Sequence, residues 1–224
     1  MKRNIIIVAT MAAITLGVTA QSCASIASSS IGLTILKKIL IGGVNKGVNT
    51  FKNKDAFLQS DLIEKALPKQ LKSINSVLEK VNPSLVAKEK DYIAQAASYT
   101  VVTSEPILKD AINNLTTQDV TRIINGEAGT ATQILKEKSS AQLVQAILPK
   151  VDEKLNEFGI AKSINTALKG NSLLSSVLGN NNSTSVTQGG LSQLASEQLV
   201  DGLFYIIEDY EKQNSTELLK AIGK

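Results

Sequence analysis

The 224-residue sequence predicts an all-α fold, a single multi-helix, bundle-like domain behind an N-terminal signal peptide. Three observations carry this expectation. Every extended apolar pattern recurs at spacings of three and four residues, the period of a helix, and none alternates as a half-buried strand would. Aromatic residues make up only 4% of the chain, with no Trp, whereas strands lean on aromatic and β-branched side chains. Capping and stop signals divide the patterns into segments of helical length, so roughly eight to ten helices are expected.

Residues 1–22 read as a targeting segment. Lys2 and Arg3 give a positive start, Ile5 to Val18 an apolar core of 14 residues, and small residues follow. A permanent span needs roughly 20 apolar residues, which disfavours a transmembrane helix. Val18-Thr19-Ala20 suits an ordinary signal peptidase, which would leave Gln21 first. Ala20-Gln21-Ser22-Cys23 suits a loose lipoprotein cleavage site with Cys23 acylated, although Ala20 stands where Leu is usual. The lipoprotein type is favoured because Cys23 is the only cysteine, and an unpaired thiol in an oxidising compartment is a liability unless something uses it. Residues 23–30 are small and polar, a flexible tether, and 31–224 form the helical domain.

Ile31 to Phe51 mixes helical periodicity with Gly42, Gly43 and Gly47. Glycine costs about 1 kcal/mol at a helix-interior site, so close approach of another helix is the favoured explanation. A frayed segment and a helix lying on a membrane, with Lys37, Lys38 and Lys46 beside its apolar face, are the alternatives. Leu71, Ile74, Leu78 and Val81 share one helical face, and Asn82 with Pro83 begins the next helix, expected from Ser84 to about Val102 with Ile93, Ala96, Ala97 and Thr100 inward. Ser104 and Pro106 are expected to restart the chain into the stripe Ile107, Leu108, Ala111, Ile112 and Leu115.

Thr116 and Asp119 read as a cap, Gly126 as a left-handed stop, Gly129 and Thr130 as the entry to a segment Ala131 to Lys138, and Ser139 with Gln142 as a third cap. Leu143, Ile147, Val151, Leu155 and Phe158 form the next stripe, with a kink or break expected at Pro149. Asn180 to Gly190 reads as a flexible loop. Beyond it, Leu199, Leu203, Ile206, Ile207 and Tyr210 face one way, with Phe204 on the apolar side, while Glu208, Asp209, Glu211 and Lys212 are expected to face water. Asn214 with Glu217 caps a last short helix carrying Leu218, Leu219 and Ile222.

Ala111, Ile112, Leu115, Thr116, Asp119, Ile123, Gly126, Ala131 and Thr132, taken with Asp55-Ala56-Phe57-Leu58, Ala66-Leu67-Pro68, Leu148-Pro149, the run from Asn165 to Gly170, Asp201-Gly202-Leu203-Phe204 and Glu211-Lys212, resemble the pattern of bacterial domain-of-unknown-function family 4197. Their order and spacing carry the likeness. Gln95-Ala96-Ala97-Ser98 departs from it, since the family places an acid where Ser98 stands. The resemblance implies a helical, exported, often lipid-anchored protein of Gram-negative bacteria, and no reaction.

The chain contains no His, which with a single Cys removes Ser-His-Asp, Cys-His and His-based zinc chemistry. Glycine pairs at Gly42-Gly43 and Gly189-Gly190 lack the flanking strand of a phosphate loop. Without Lys2 and Arg3, 22 basic residues face 20 acidic ones, a formal +2, too little to attract nucleic acid. Asp201, Glu208 and Asp209, or Asp152, Glu153 and Glu157, could supply an acid pair or oxygen ligands, but are more simply the solvated faces of helices. Asp119 is accounted for by its cap. No catalytic residue, metal or cofactor is therefore assigned.

Two function classes stay open. The first is a lipoprotein anchored through Cys23, facing the periplasm at the outer membrane, a scaffold or a binder of an envelope protein or an apolar ligand; a soluble periplasmic or secreted form is its alternative address. The second is a hydrolase or lyase using Asp, Glu, Lys or Tyr in a cleft between helices.

Overall fold

The computed structural model describes residues 30–168 and 188–216, and among these residues there are nine helices and no strand. In chain order they are α1 (Ser30–Lys52), α2 (Lys54–Leu58), α3 (Asp61–Lys65), α4 (Lys69–Val81), α5 (Pro83–Asn113), α6 (Thr117–Asn125), α7 (Thr130–Glu157), α8 (Ile160–Leu168) and α9 (Gln188–Gln213). The signal segment, Cys23, most of the expected loop and the expected last helix lie outside the described residues. Gln188, Gly189 and Gly190, expected in the loop, instead open α9.

The four long helices form a ring in which α1 packs on α5, α5 on α7, α7 on α9, and α9 back on α1. One hydrophobic cluster runs through all nine helices. Its stripes are those that the spacing predicts, with Leu71, Ile74 and Leu78 of α4, Leu108 and Ile112 of α5, and Leu143, Ile147, Val151 and Leu155 of α7 all buried. Val81 leaves its stripe at the end of α4 and is 49% exposed.

The glycines of α1 seat α9, which excludes the frayed and membrane-lying alternatives for this helix. A Cβ on Gly42 would stand 2.6 Å from the Tyr210 hydroxyl, and one on Gly43 would stand 3.2 Å from the Ile207 backbone. Gly47 meets Leu203 in the same way. Spaced at four and five residues, these positions open a groove along α1 into which one face of α9 fits.

Both internal prolines fail to interrupt their helices. α5 runs unbroken past Pro106 and α7 past Pro149, so the restart at Ser104 and the break at Pro149 do not occur. A proline deprives the carbonyl four residues earlier of its donor. Those carbonyls belong to Val102, which is 79% exposed, and to the exposed Gln145, where water can replace the missing partner. Ser104 donates to the Thr100 carbonyl and Ser139 to the Leu135 carbonyl, so both are buried helix-interior hydroxyls. Ser139 therefore caps nothing.

Candidate functional site

The corner between α6 and α7 has the expected cap. Thr116 and Asp119 form a reciprocal capping box, with the Thr116 N–H donating to Asp119 Oδ2 at 2.8 Å. Lys138 reaches the same carboxylate at 3.1 Å. Burial pushes the Asp119 carboxyl up, but the Thr116 backbone, Lys138 and the Thr116 hydroxyl together hold it below the usual aspartate value. Asp119 is thus occupied by structure.

Gly126 closes α6 in an extended conformation, φ −94° and ψ 179°, and not in the left-handed one expected. Glycine is needed there because a Cβ would collide with the Thr130 side chain. The left-handed residue is Gly129, at φ 106°.

Glu211 overturns the expectation of a water-facing residue, being only 3% exposed. Its Oε1 accepts from the Gly129 and Ala131 N–H groups, both at 3.1 Å, and its Oε2 from the Thr132 N–H at 2.7 Å and the Thr132 hydroxyl at 2.6 Å. The carboxylate thereby satisfies the orphan donors at the start of α7 and lies at the positive end of its dipole. The third helix at this corner, beside α6 and α7, is α9 from the far end of the chain.

The two acidic runs do not assemble into sites. Asp201 pairs with Lys136 at 2.8 Å, Glu208 with Lys212 at 2.5 Å and Asp209 with Lys46 at 3.0 Å. Asp152 accepts from the Ser192 hydroxyl, while Glu153 and Glu157 pair with Lys150 and Lys154. Among the described residues, no group of three or more potential ligands could hold a metal ion.

The arrangement that asks for a function lies elsewhere. Glu89 of α5 is 0% exposed, and among the described residues neither carboxylate oxygen has a hydrogen-bond partner. Two further buried oxygens, Asn75 Oδ1 of α4 and Gln198 Oε1 of α9, are likewise unpartnered among those residues. All three residues line one cavity of about 240 Å³, walled by apolar side chains that include Phe57, Ile63, Leu67, Val86 and Ile93. Burial pushes the Glu89 carboxyl up to about 7, against the opposing pulls of Lys90 and of the Asn75 amide. That amide lies near the carboxylate without meeting hydrogen-bond geometry. Lys90 itself is turned toward Glu64, at 3.7 Å.

None of these residues belongs to a recognisable motif. Their one signal in the sequence is phase, since Glu89 follows Leu85 by four and Val86 by three and precedes Ile93 by four, which puts it on the apolar stripe of its helix. Gln198, three residues after Ala195, is placed the same way.

Fold and site define an all-α domain with one acceptor-lined apolar pocket and a helix corner capped from the distant end of the chain. The chain belongs to the family described as "Protein of unknown function (DUF4197)", whose sequence profile matches residues 27–221. No curated protein and no solved structure matches it. The segments that carry the family likeness, from Thr116 to Thr132 and around Glu211, are those that the corner joins.

Proposed function

We propose that the chain is an exported helical lipoprotein, anchored through Cys23 on the periplasmic side of the outer membrane, that binds a small molecule in the Glu89 pocket. The observation that carries the binding role is the set of buried, unpartnered oxygens on the walls of one apolar cavity. An unmet buried polar group destabilises a fold by roughly 1–3 kcal/mol. A protein that keeps several of them around one cavity has the polar anchors and apolar walls of a ligand site. The address is supported by the signal segment and by Cys23, where two or more acyl chains would suffice for stable attachment. Among the described residues, no helix is long and apolar enough to cross a membrane.

One feature favours the hydrolase or lyase reading, which is that burial pushes the Glu89 carboxyl up to about 7, the range that suits a general base. The buried atoms left unpartnered beside it among the described residues are all acceptors, however, which a bound donor satisfies and a developing oxyanion does not. Binding is the better use of this pocket.

Two measurements test the proposal. Replacing Cys23 by Ser should abolish fatty-acid labelling and either leave the precursor uncleaved or release a soluble product; a variant that is processed and partitions as wild type, with Gln21 at its N-terminus, would refute the anchor. Native mass spectrometry of the protein released from its own membrane should show a bound small mass, which is lost when Ile63→Trp fills the cavity. No added mass on either protein would refute the binding role.

A further inference from the structure

We infer that the Glu89 pocket is shaped for the protonated amino group of a small amine with an apolar body, an inference that rests on reading the pocket as a ligand site. The four unpartnered buried side-chain atoms among the described residues, from Asn75, Glu89 and Gln198, are all oxygens, and all belong to residues lining this one cavity. They arrive from α4, α5 and α9, so the fold itself converges them. Oxygens without partners need donors. An ammonium group has three N–H donors and no acceptor, whereas a hydroxyl has one donor, and a carboxylate has none and brings a charge of the wrong sign.

Charge points the same way. With Glu89 ionised, as it is at pH 8, Glu64, Glu79 and Glu89 line the cavity against Lys72 and Lys90, an excess of one negative charge that a single cation would neutralise. A buried carboxylate is tolerated when paired and hydrogen-bonded, and an ammonium supplies both conditions at once. The remaining walls, Phe57, Ile63, Leu67, Val86 and Ile93, suit a hydrocarbon body. The cavity is smaller than the roughly 300–1,000 Å³ that encloses drug-sized ligands, which limits the guest to a short-chain amine.

The test is calorimetric titration of the full-length protein in mild detergent with hexylamine, 1-hexanol and hexanoate, at about pH 8, where an alkylamine is protonated as lysine is. Hexylamine should bind at least about tenfold more tightly than either of the others. Glu89→Gln should remove that preference. Gln198→Met, which leaves the carboxylate in place, should weaken amine binding severalfold and keep the preference. Hexanol binding as tightly as hexylamine would overturn the amine assignment while leaving the pocket a ligand site. A preference that survives Glu89→Gln would place the amine elsewhere and likewise overturn it. If none of the three binds, and Ile63→Trp behaves as wild type, the pocket is a water site and both readings fall.

Discussion

Replacing Glu89 by Gln should stabilise the protein, and only above a certain pH. An ordinary glutamate titrates at 4.5 and buried Glu89 at about 7. Between those values the folded protein holds a proton that the unfolded chain has released, so stability falls as pH rises through the window and levels off above about 7. At 1.36 kcal/mol per pH unit, the gap corresponds to roughly 3 kcal/mol lost by wild type between about pH 4.5 and pH 8. Gln has nearly the same shape and no proton to lose. The variant should match wild type within about 1 kcal/mol at pH 4.5 and exceed it by roughly 3 kcal/mol at pH 8. Glu64, Lys72, Glu79 and Lys90 line the same cavity and are common to both proteins. Urea denaturation at the two pH values measures the difference. A Glu89→Gln gain that is equal at both, or absent at pH 8, would refute the claim that the carboxyl is buried without a partner.

Three other outcomes follow from the packing. Glu211→Ala should destabilise by about 3–5 kcal/mol, because it strips the start of α7 of buried acceptors, and hydrogen exchange should rise first at Gly129, Ala131 and Thr132; protection there equal to wild type would remove Glu211 as the cap. Gly43→Ala should cost about 1–3 kcal/mol by pressing on the Ile207 backbone, whereas Gly42→Ala presses on the outer end of the Tyr210 side chain, which can swing aside, and should cost less in thermal melts; equal effects would show that α9 does not seat on α1 as described. Phe204→Ala, at a site 3% exposed in wild type, should cost about 3–5 kcal/mol, and an unchanged denaturation midpoint would put α9 outside the core.

The stripes of α4, α5 and α7 were legible in the sequence because burial of one helix face imposes a period that composition cannot hide. The glycines of α1 were legible for a similar reason, since three poor helix formers on one helix need a close neighbour. The prolines misled because the rule that they end helices assumes a dry interior. Pro106 and Pro149 free carbonyls on exposed residues, where that cost is small.

Glu211 and Glu89 were hidden for a deeper reason. A charged residue on an apolar stripe is assigned to water by default, as desolvation demands. What reverses the assignment for Glu211 is a set of donors from 79 to 82 residues away, and no local pattern contains them. For Glu89 nothing among the described residues reverses it. Its phase among Leu85, Val86 and Ile93 buries it regardless, and the unmet oxygens are the visible result.

The most direct test of that result is a carbon-13 NMR titration of the Glu89 side-chain carboxyl, assigned by loss of its signal in Glu89→Gln and recorded with and without hexylamine. The expected midpoint is about 7 in the free protein, and lower when the amine is bound, since a nearby cation favours the carboxylate. A midpoint near the ordinary 4.5 in the free protein, unmoved by amine, would contradict both the buried unpaired carboxyl and the site built on it.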